Sequence, residues 1–412
     1  MSAAVTKPIV QHVTEGGAPI WRKPMLTTPF FECYEPLIET RAFRMWGGYN
    51  TLTYFSSIEH EYFAIRNTTS VFDLTPMVKY DIRGPGAEDF LSRLLTRDVR
   101  KLKKNRVTYT MWCDDDGNVI DDGTVFKLGK DKYRLCTAER QLDWFLDSAI
   151  GFDVSIREIT AEIAALALQG PTSCSTLKHL GFEGIENMKP FEIGHFSQLG
   201  YEVMVSRTGF TGDLGYELWL DPANAKPFWN SLMAAGSHRG IRPIGYGALE
   251  MARIEAGLLL PDSEFVNAEF TLRVNRGRTP LELGMDWLVD FEKGHFTGRR
   301  ALLEQKNKGV PRMLVGLEVD GKKPAHDALI FDKEHGGKEI GFTTCSLWSP
   351  TLKNNIAMAM IDAPHYKGEG ELWAEFYIKR ELIWQKRRVR CKVVPRPFFA
   401  PERRKLTPPL DR

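Results

Sequence analysis

Three short stretches of this chain carry polar residues in patterns that could do chemistry. In Asn118-Val119-Ile120-Asp121-Asp122-Gly123, two adjacent acids lead into an apolar run. In a strand, neighbouring side chains point to opposite faces, so one acid looks inward while the other looks out. Arg207-Thr208-Gly209-Phe210-Thr211-Gly212-Asp213-Leu214-Gly215-Tyr216-Glu217 folds as a tight glycine-rich loop entering a strand. Its glycines let backbone approach backbone or a planar ligand closely. Glu217 at its base could accept two N–H donors from an amino-pyrimidine edge. The spacing is not GxGxxG and no GK[ST] follows, which disfavours a phosphate cradle. Gly245 to Gly257 reads as a close-packed helix bearing Arg253 and Glu255. Taken alone, these could equally be a turn whose acids cap amides, a glycine-rich hairpin with an exposed acid, and a helix-surface ion pair.

The elements that must hold these groups follow from periodicity. A helix is expected over 57–69 with Ser57 as a possible cap, then strands over 71–74 and 78–82, a Gly84-Pro85-Gly86 turn, and an amphipathic helix over 87–95. Runs 107–112 and 119–128 are strand-like, joined by the turn composition Asp114-Asp115-Asp116-Gly117-Asn118. An apolar strand over 163–168 precedes Gly170-Pro171 and a helix, and strands over 200–206 and 214–220 precede helices over 223–235 and 247–256. Strands and helices mixed with hairpins predict an α+β fold. From Met313 onward, short strands separated by glycine and proline turns predict a small all-β domain. The expected organisation is an irregular arm over 1–30, a core of two interleaved α+β subdomains over 31–290, a β-barrel over 310–400 and a tail over 401–412.

The bulk composition is that of an ordinary globular protein, 43% hydrophobic and 26% charged over 412 residues. Fifty-five basic against 53 acidic residues leave a net charge of +2, giving no electrostatic reason to expect nucleic acid or an acidic membrane. Basic residues cluster late, in Lys386-Arg387-Arg388, Arg390 and Arg403-Arg404-Lys405, either as a solvated edge and tail or as a seat for an anionic tail such as a folate glutamate. No stretch is apolar enough for a membrane span, and Met1 to Leu26 lacks a signal-peptide core, so a cytoplasmic protein is expected. The six cysteines form no CxxC and read as buried thiols, and the nine histidines make no metal-ligand spacing.

Taken together and in order, the three stretches resemble the glycine-cleavage T-protein (aminomethyltransferase) family. Ile120-Asp121-Asp122 resembles its folate-site hairpin. Arg207 to Glu217 is similar to its RTGYTGE loop, and Gly245 to Glu255 to its GLGARD helix. Arg66 to Asp73 with Gly84-Pro85, Leu168-Gln169-Gly170-Pro171, and Trp348-Ser349-Pro350-Thr351-Leu352 match further family patterns, so the likeness covers about residues 45–400.

The resemblance implies three domains in a cloverleaf around a central channel for tetrahydrofolate. By position, it implies that Asp122 stands near N5/N10 of the pterin, Glu217 binds the amino-pyrimidine edge, and Tyr109 lines the channel. Phe210 stands where the family usually has Tyr. Arg253 belongs to the same folate region. Two departures bear on substrate: Thr75-Pro76-Met77 replaces the family's SHM, and Leu249 replaces the Arg of GARD. They point to the family's demethylase branch, which moves a whole methyl group from a small methylated compound to folate. The expected reaction is O-demethylation of an aromatic methyl ether giving 5-methyltetrahydrofolate. Alternatives are S-demethylation of the dimethylsulfoniopropionate type, aminomethyl transfer with a lipoyl carrier protein, or folate binding without catalysis. A phenolate leaving group benefits from a proton donor. His60 and Tyr246 are the candidates, and Trp46, Tyr49, Tyr54, Trp112 and Phe191 could sandwich an aromatic ring.

Overall fold

In the computed structural model, residues 26–273 and 276–407 are described. Most of the expected N-terminal arm and the end of the tail lie outside them.

Between residues 43 and 243 the chain builds two large sheets from interleaved strands, beside a small hairpin of Phe43–Trp46 and Tyr49–Leu52. A six-stranded sheet runs in the order Ile193–Gln198, Tyr201–Ser206, Gly215–Leu220, Ala164–Gln169, Thr69–Asp73, Ile241–Pro243. A five-stranded sheet runs Arg106–Cys113, Val119–Gly129, Lys132–Thr137, Val78–Arg83, Ser155–Glu158. The strand Ala164–Gln169 shows why the sequence folds this way. Its run Ala-Ala-Leu-Ala-Leu-Gln is buried throughout, as a strand covered on both faces must be. Ala164, Leu166 and Leu168 enter one core under the helices Ser173–His179 and Ala225–Gly236. Ala165 and Ala167 enter a second core, against Val107, Phe126 and Cys136 of the five-stranded sheet. That second core lies between the two sheets.

The helix Ile58–Asn67 begins at Ser57, whose hydroxyl accepts from the His60 amide. It packs on the helix Tyr246–Glu255. Glu61, wholly buried, joins them by accepting from the amides of Phe55 (2.7 Å), Ser56 (3.1 Å) and Gly245 (2.7 Å). After a loop-rich stretch with short 3-10 turns and the helix Arg299–Lys308, the chain closes a six-stranded antiparallel barrel. Its order is Arg312–Val319, Asn354–Asp362, Glu339–Ser349, Leu329–Phe331, Leu372–Arg380, Ile383–Val394. The α+β expectation and the separate all-β domain both hold.

A buried ionic knot ties the barrel to the rest. Arg66 donates to Glu255 Oε2 through Nε (2.9 Å) and NH2 (2.7 Å), and to Asp213 Oδ2 at 3.3 Å. Glu255 Oε1 accepts from Tyr62 (2.6 Å) and from Ser349 of the barrel (2.5 Å). Arg403 closes the knot on Asp213 at 2.6 and 2.9 Å. Glu255 is therefore an architectural residue.

Candidate functional site

Asp122 lies on Val119–Gly129, paired with Arg106–Cys113. Tyr109 and Asp122 share the sheet face turned toward the barrel-side cluster of Met111, Leu283 and Met358. The Tyr109 hydroxyl donates to Asp122 Oδ2 in a very short hydrogen bond. Burial pushes the Asp122 carboxyl up to about 6, and the Tyr109 hydrogen bond works against that rise. Asp121 faces the other way. Its Oδ1 accepts from the Asp122 amide at 2.8 Å and its Oδ2 from Gln141 at 3.4 Å. Burial, and then the Asp122 charge, hold its carboxyl well above the usual range. The two adjacent acids thus divide as strand geometry requires: Asp122 toward the site, Asp121 into the wall behind it.

Glu217 lies on the facing sheet, directly opposite Ser206 in the antiparallel register. Its Oε2 accepts from Thr208 (2.5 Å) and Ser206 (3.2 Å), and Trp219 steadies Ser206 from behind at 3.1 Å. Burial pushes the Glu217 carboxyl up to about 7, against the pull of the two hydroxyls. Among the described residues no donor reaches Oε1. The Glu217 charge is felt at Cys136, the cross-strand neighbour of Thr124, two residues along from Asp122. Two carboxyl groups with raised proton affinity therefore stand on facing sheets.

The glycine-rich loop works differently from the sequence expectation. Gly209 and Gly215 make room for a side chain of the protein. A Cβ at either would stand 2.0–2.1 Å from the Gln169 amide oxygen. Gln169 fills that slot, accepts from Thr211 (2.9 Å) and donates to the Thr208 carbonyl (3.2 Å). The Gln of the QGP stretch thereby positions the loop that carries Thr208.

Phe210, Trp46 and Tyr246 are partly buried against the core between the sheets. The Trp46 indole donates to the Ala138 carbonyl at 3.0 Å. Arg44 covers the Tyr246 ring at 3.6 Å, and burial, then Glu250, push the Tyr246 phenol up to about 12. Arg253 is fully buried and committed to Glu264 (2.7 Å), Glu250 (2.5 Å) and the Leu258 carbonyl. It braces the site wall and has no free fork for a cofactor.

Three expected site residues are placed elsewhere. His60 is exposed on the first turn of its helix, because the inward position there belongs to Glu61. Trp112 is wholly buried on the far face of the five-stranded sheet, edge-on to Phe145 at 5.4 Å. Tyr49 is buried at 3% exposure, leaving no open ring face. Phe191 is different: it stands 43% exposed at φ 62°, and its backbone bridges the Val107 amide (2.9 Å) and the Arg207 carbonyl (2.9 Å), beside the strand that carries Tyr109 and the loop that carries Thr208. Of the late basic residues, Arg388 pairs with Glu375 (2.6 Å) and Arg403 with Asp213, so neither is a seat for an anionic tail. Among the described residues no cluster could hold a metal ion and no helix is long and apolar enough to cross a membrane.

Residues 37–293 match the family model described as the GCVT N-terminal domain, and residues 312–400 match the glycine cleavage T-protein C-terminal barrel domain. The chain belongs to the glycine cleavage T-protein family. Among curated members, an aminomethyltransferase of Halothermothrix orenii is 37% identical over 342 residues, covering 82% of this chain and 92% of that protein. One from Bacillus pumilus is 35% identical over 380 residues, covering 90% and 98%. The crystal structure of glycine cleavage system aminomethyltransferase T from Bartonella henselae shares the fold, with a TM-score of 0.79, 24% identity and coverage of 91% and 98%. The family uses tetrahydrofolate as its one-carbon acceptor. The donor set here fits that cofactor: Glu217 offers an uncommitted Oε1 to an N–H edge, and Asp122 offers a carboxyl that can exchange a proton near neutrality.

Proposed function

We propose that this chain transfers the carbon of an aminomethyl group from the thiol of its carrier to tetrahydrofolate as a methylene, with ammonia and the carrier thiol as the two leaving groups. The observation that carries this reading is the pair of raised carboxyls on facing sheets, Asp122 backed by Tyr109 and Glu217 backed by Thr208 and Ser206. The aminomethyltransferases among its relatives support it. Tetrahydrofolate supplies the amine that accepts the carbon. Glu217 would hold the amino-pyrimidine edge through Oε1. Asp122, raised to about 6, would take a proton from the attacking amine and return it to the departing ammonia or thiolate. The Tyr109 hydroxyl keeps the carboxylate aimed while it does so.

Leu249 favours a second reading. Buried in the core between the sheets, it leaves an apolar helix face where the resemblance places an arginine. That suits a different donor, and whole-methyl transfer from a small methylated amine follows from it. An aryl methyl ether loses support, since His60, one of its two candidate proton donors, is exposed on the helix surface.

The test is anaerobic incubation with tetrahydrofolate and either an aminomethyl-loaded lipoyl carrier protein or a panel of methylated amines, with folate products read by mass. Methylenetetrahydrofolate from the carrier establishes aminomethyl transfer. 5-Methyltetrahydrofolate from a methylated amine establishes the second reading. Neither product, with folate bound, overturns the transferase reading.

A further inference from the structure

Beside the Tyr109–Asp122 pair stands a cation that none of the roles above uses. Arg396 follows the last barrel strand. Its NH2 donates to the Leu283 carbonyl at 2.8 Å, and its NH1 meets the Met358 sulfur at 3.7 Å. Leu283 and Met358 belong to the cluster against which Tyr109 packs. Burial lowers the basicity of Arg396, while Glu264, Cys345 and Tyr109 lie near enough to oppose that electrostatically. The chain makes deliberate room for this side chain. Gly284, at φ 69°, would put a Cβ 2.8 Å from NH2, and Gly257, at φ 64°, would put one 3.1 Å from the Arg396 Cβ.

What Arg396 lacks is an anion. Among the described residues no carboxylate lies within ion-pair distance of it, and its two protein contacts, a carbonyl and a thioether, are neutral. Glu264, the nearest acid, is already held by Arg253 at 2.7 Å, the Leu260 amide at 2.9 Å and Ser263 at 2.9 Å. Among the described residues Arg396 Nε has no protein acceptor. A guanidinium near Tyr109, held by two neutral contacts and keeping spare N–H groups, matches the planar fork of a carboxylate.

We propose that Arg396 is the carboxylate-binding residue of this site. Its ligand is an amino-acid-like carboxylate, borne either by the donor or by the glutamyl end of the folate. This inference rests on the transferase reading for its ligand classes, but its test needs no turnover.

The test is calorimetric titration of the full-length protein and its Arg396→Met and Arg396→Lys variants with three probes: tetrahydrofolate, 6-methyltetrahydropterin and sarcosine. The pterin lacks any carboxylate. Arg396→Met is expected to weaken one carboxylate probe about 10- to 100-fold, with Arg396→Lys recovering part of the loss and pterin binding within twofold of the parent. Normal pterin binding also shows that the variant is folded. A loss confined to tetrahydrofolate assigns the folate tail, and a loss confined to sarcosine assigns the donor. Unchanged affinity for both carboxylate probes, or an equal loss for the pterin, overturns the proposal. Failure of the parent to bind either folate probe would count against the transferase reading instead.

Discussion

The Tyr109 hydroxyl donates to Asp122 Oδ2 from the neighbouring strand, and Tyr109 stands opposite Thr124, two residues beyond Asp122 on the same face. The bond is thus a diagonal cross-strand contact fixed by register, with no flexible loop between donor and acceptor. It stabilises the charged form of a carboxyl that burial has pushed up to about 6. If Asp122 acts as the base, the rate rises with pH through about 6. Asp122→Asn is expected to lower kcat by about 10²–10⁴ while folate still binds. Tyr109→Phe removes the bond that favours the charged form, so the acid limb moves above pH 6. A limb that stayed in place or moved lower would refute the assignment, as read from a kcat–pH profile.

Glu217 carries a cost in stability that the proposed folate contact would offset. Its carboxyl titrates at about 7 in the folded protein because burial disfavours the charge, against about 4.3 for a free glutamate. Between those pH values the folded state binds a proton that the unfolded state has lost, so stability falls as pH rises and the full penalty is present above 7. Glu217→Gln removes the penalty. It is expected to raise the melting temperature at pH 8 and leave it unchanged near pH 4, while weakening folate binding at least tenfold. Melting curves at the two pH values decide this, and an equal shift at both would show that the carboxyl is not desolvated.

The elements of this protein are legible in its sequence because each is dictated locally. The helix Ile58–Asn67 has a serine cap and regular spacing, and the hairpin around Asp114–Asn118 has turn composition between two apolar runs. The division of labour between Asp121 and Asp122 follows from strand alternation, and the family resemblance implies that Asp122 is the acid on the folate side. What was illegible is set by which helix or sheet face meets a partner. One residue of offset turns buried Glu61 into exposed His60, and an equal offset sends Trp112 into a core away from Tyr109 and Met111. Arg396 lies far from Tyr109 in sequence and only barrel docking brings it near. Ser206 and Thr208 had a usable signal: two hydroxyls at alternate positions, one of them directly opposite Glu217 once the hairpin is paired.

The Arg66–Glu255–Asp213 knot joins helix, glycine-rich loop, barrel and tail. Breaking a buried ion pair from one side leaves an uncompensated charge, typically at a cost of about 3–5 kcal/mol. Glu255→Ala leaves Arg66, whose side chain is only 3% exposed, with Asp213 at 3.3 Å as its remaining acid partner, and should cost about 3 kcal/mol, the low end of that range, by urea denaturation. Arg403, at 28% exposure, lets water reach the charge it leaves behind, so Arg403→Gln should cost about 1 kcal/mol. Equal costs for the two would show that the tail is as integral to the fold as the helix.

Gln169 and Gly215 face each other across the ladder, and the absence of a side chain at Gly215 is what admits the Gln169 amide. Gly215→Ala must expel that amide, breaking its bonds to Thr211 and to the Thr208 carbonyl. Overpacking of this kind costs roughly 1–3 kcal/mol. The loss should also reach function, because Thr208 is the closer of the two hydroxyls on Glu217, so folate affinity should fall along with stability. The double variant Gly215→Ala with Gln169→Ala separates the two effects. Removing the amide relieves the clash and restores stability, while Thr208 stays unsupported and folate binding stays weak. A double variant that lost the sum of both single penalties would show that the two residues do not share this slot.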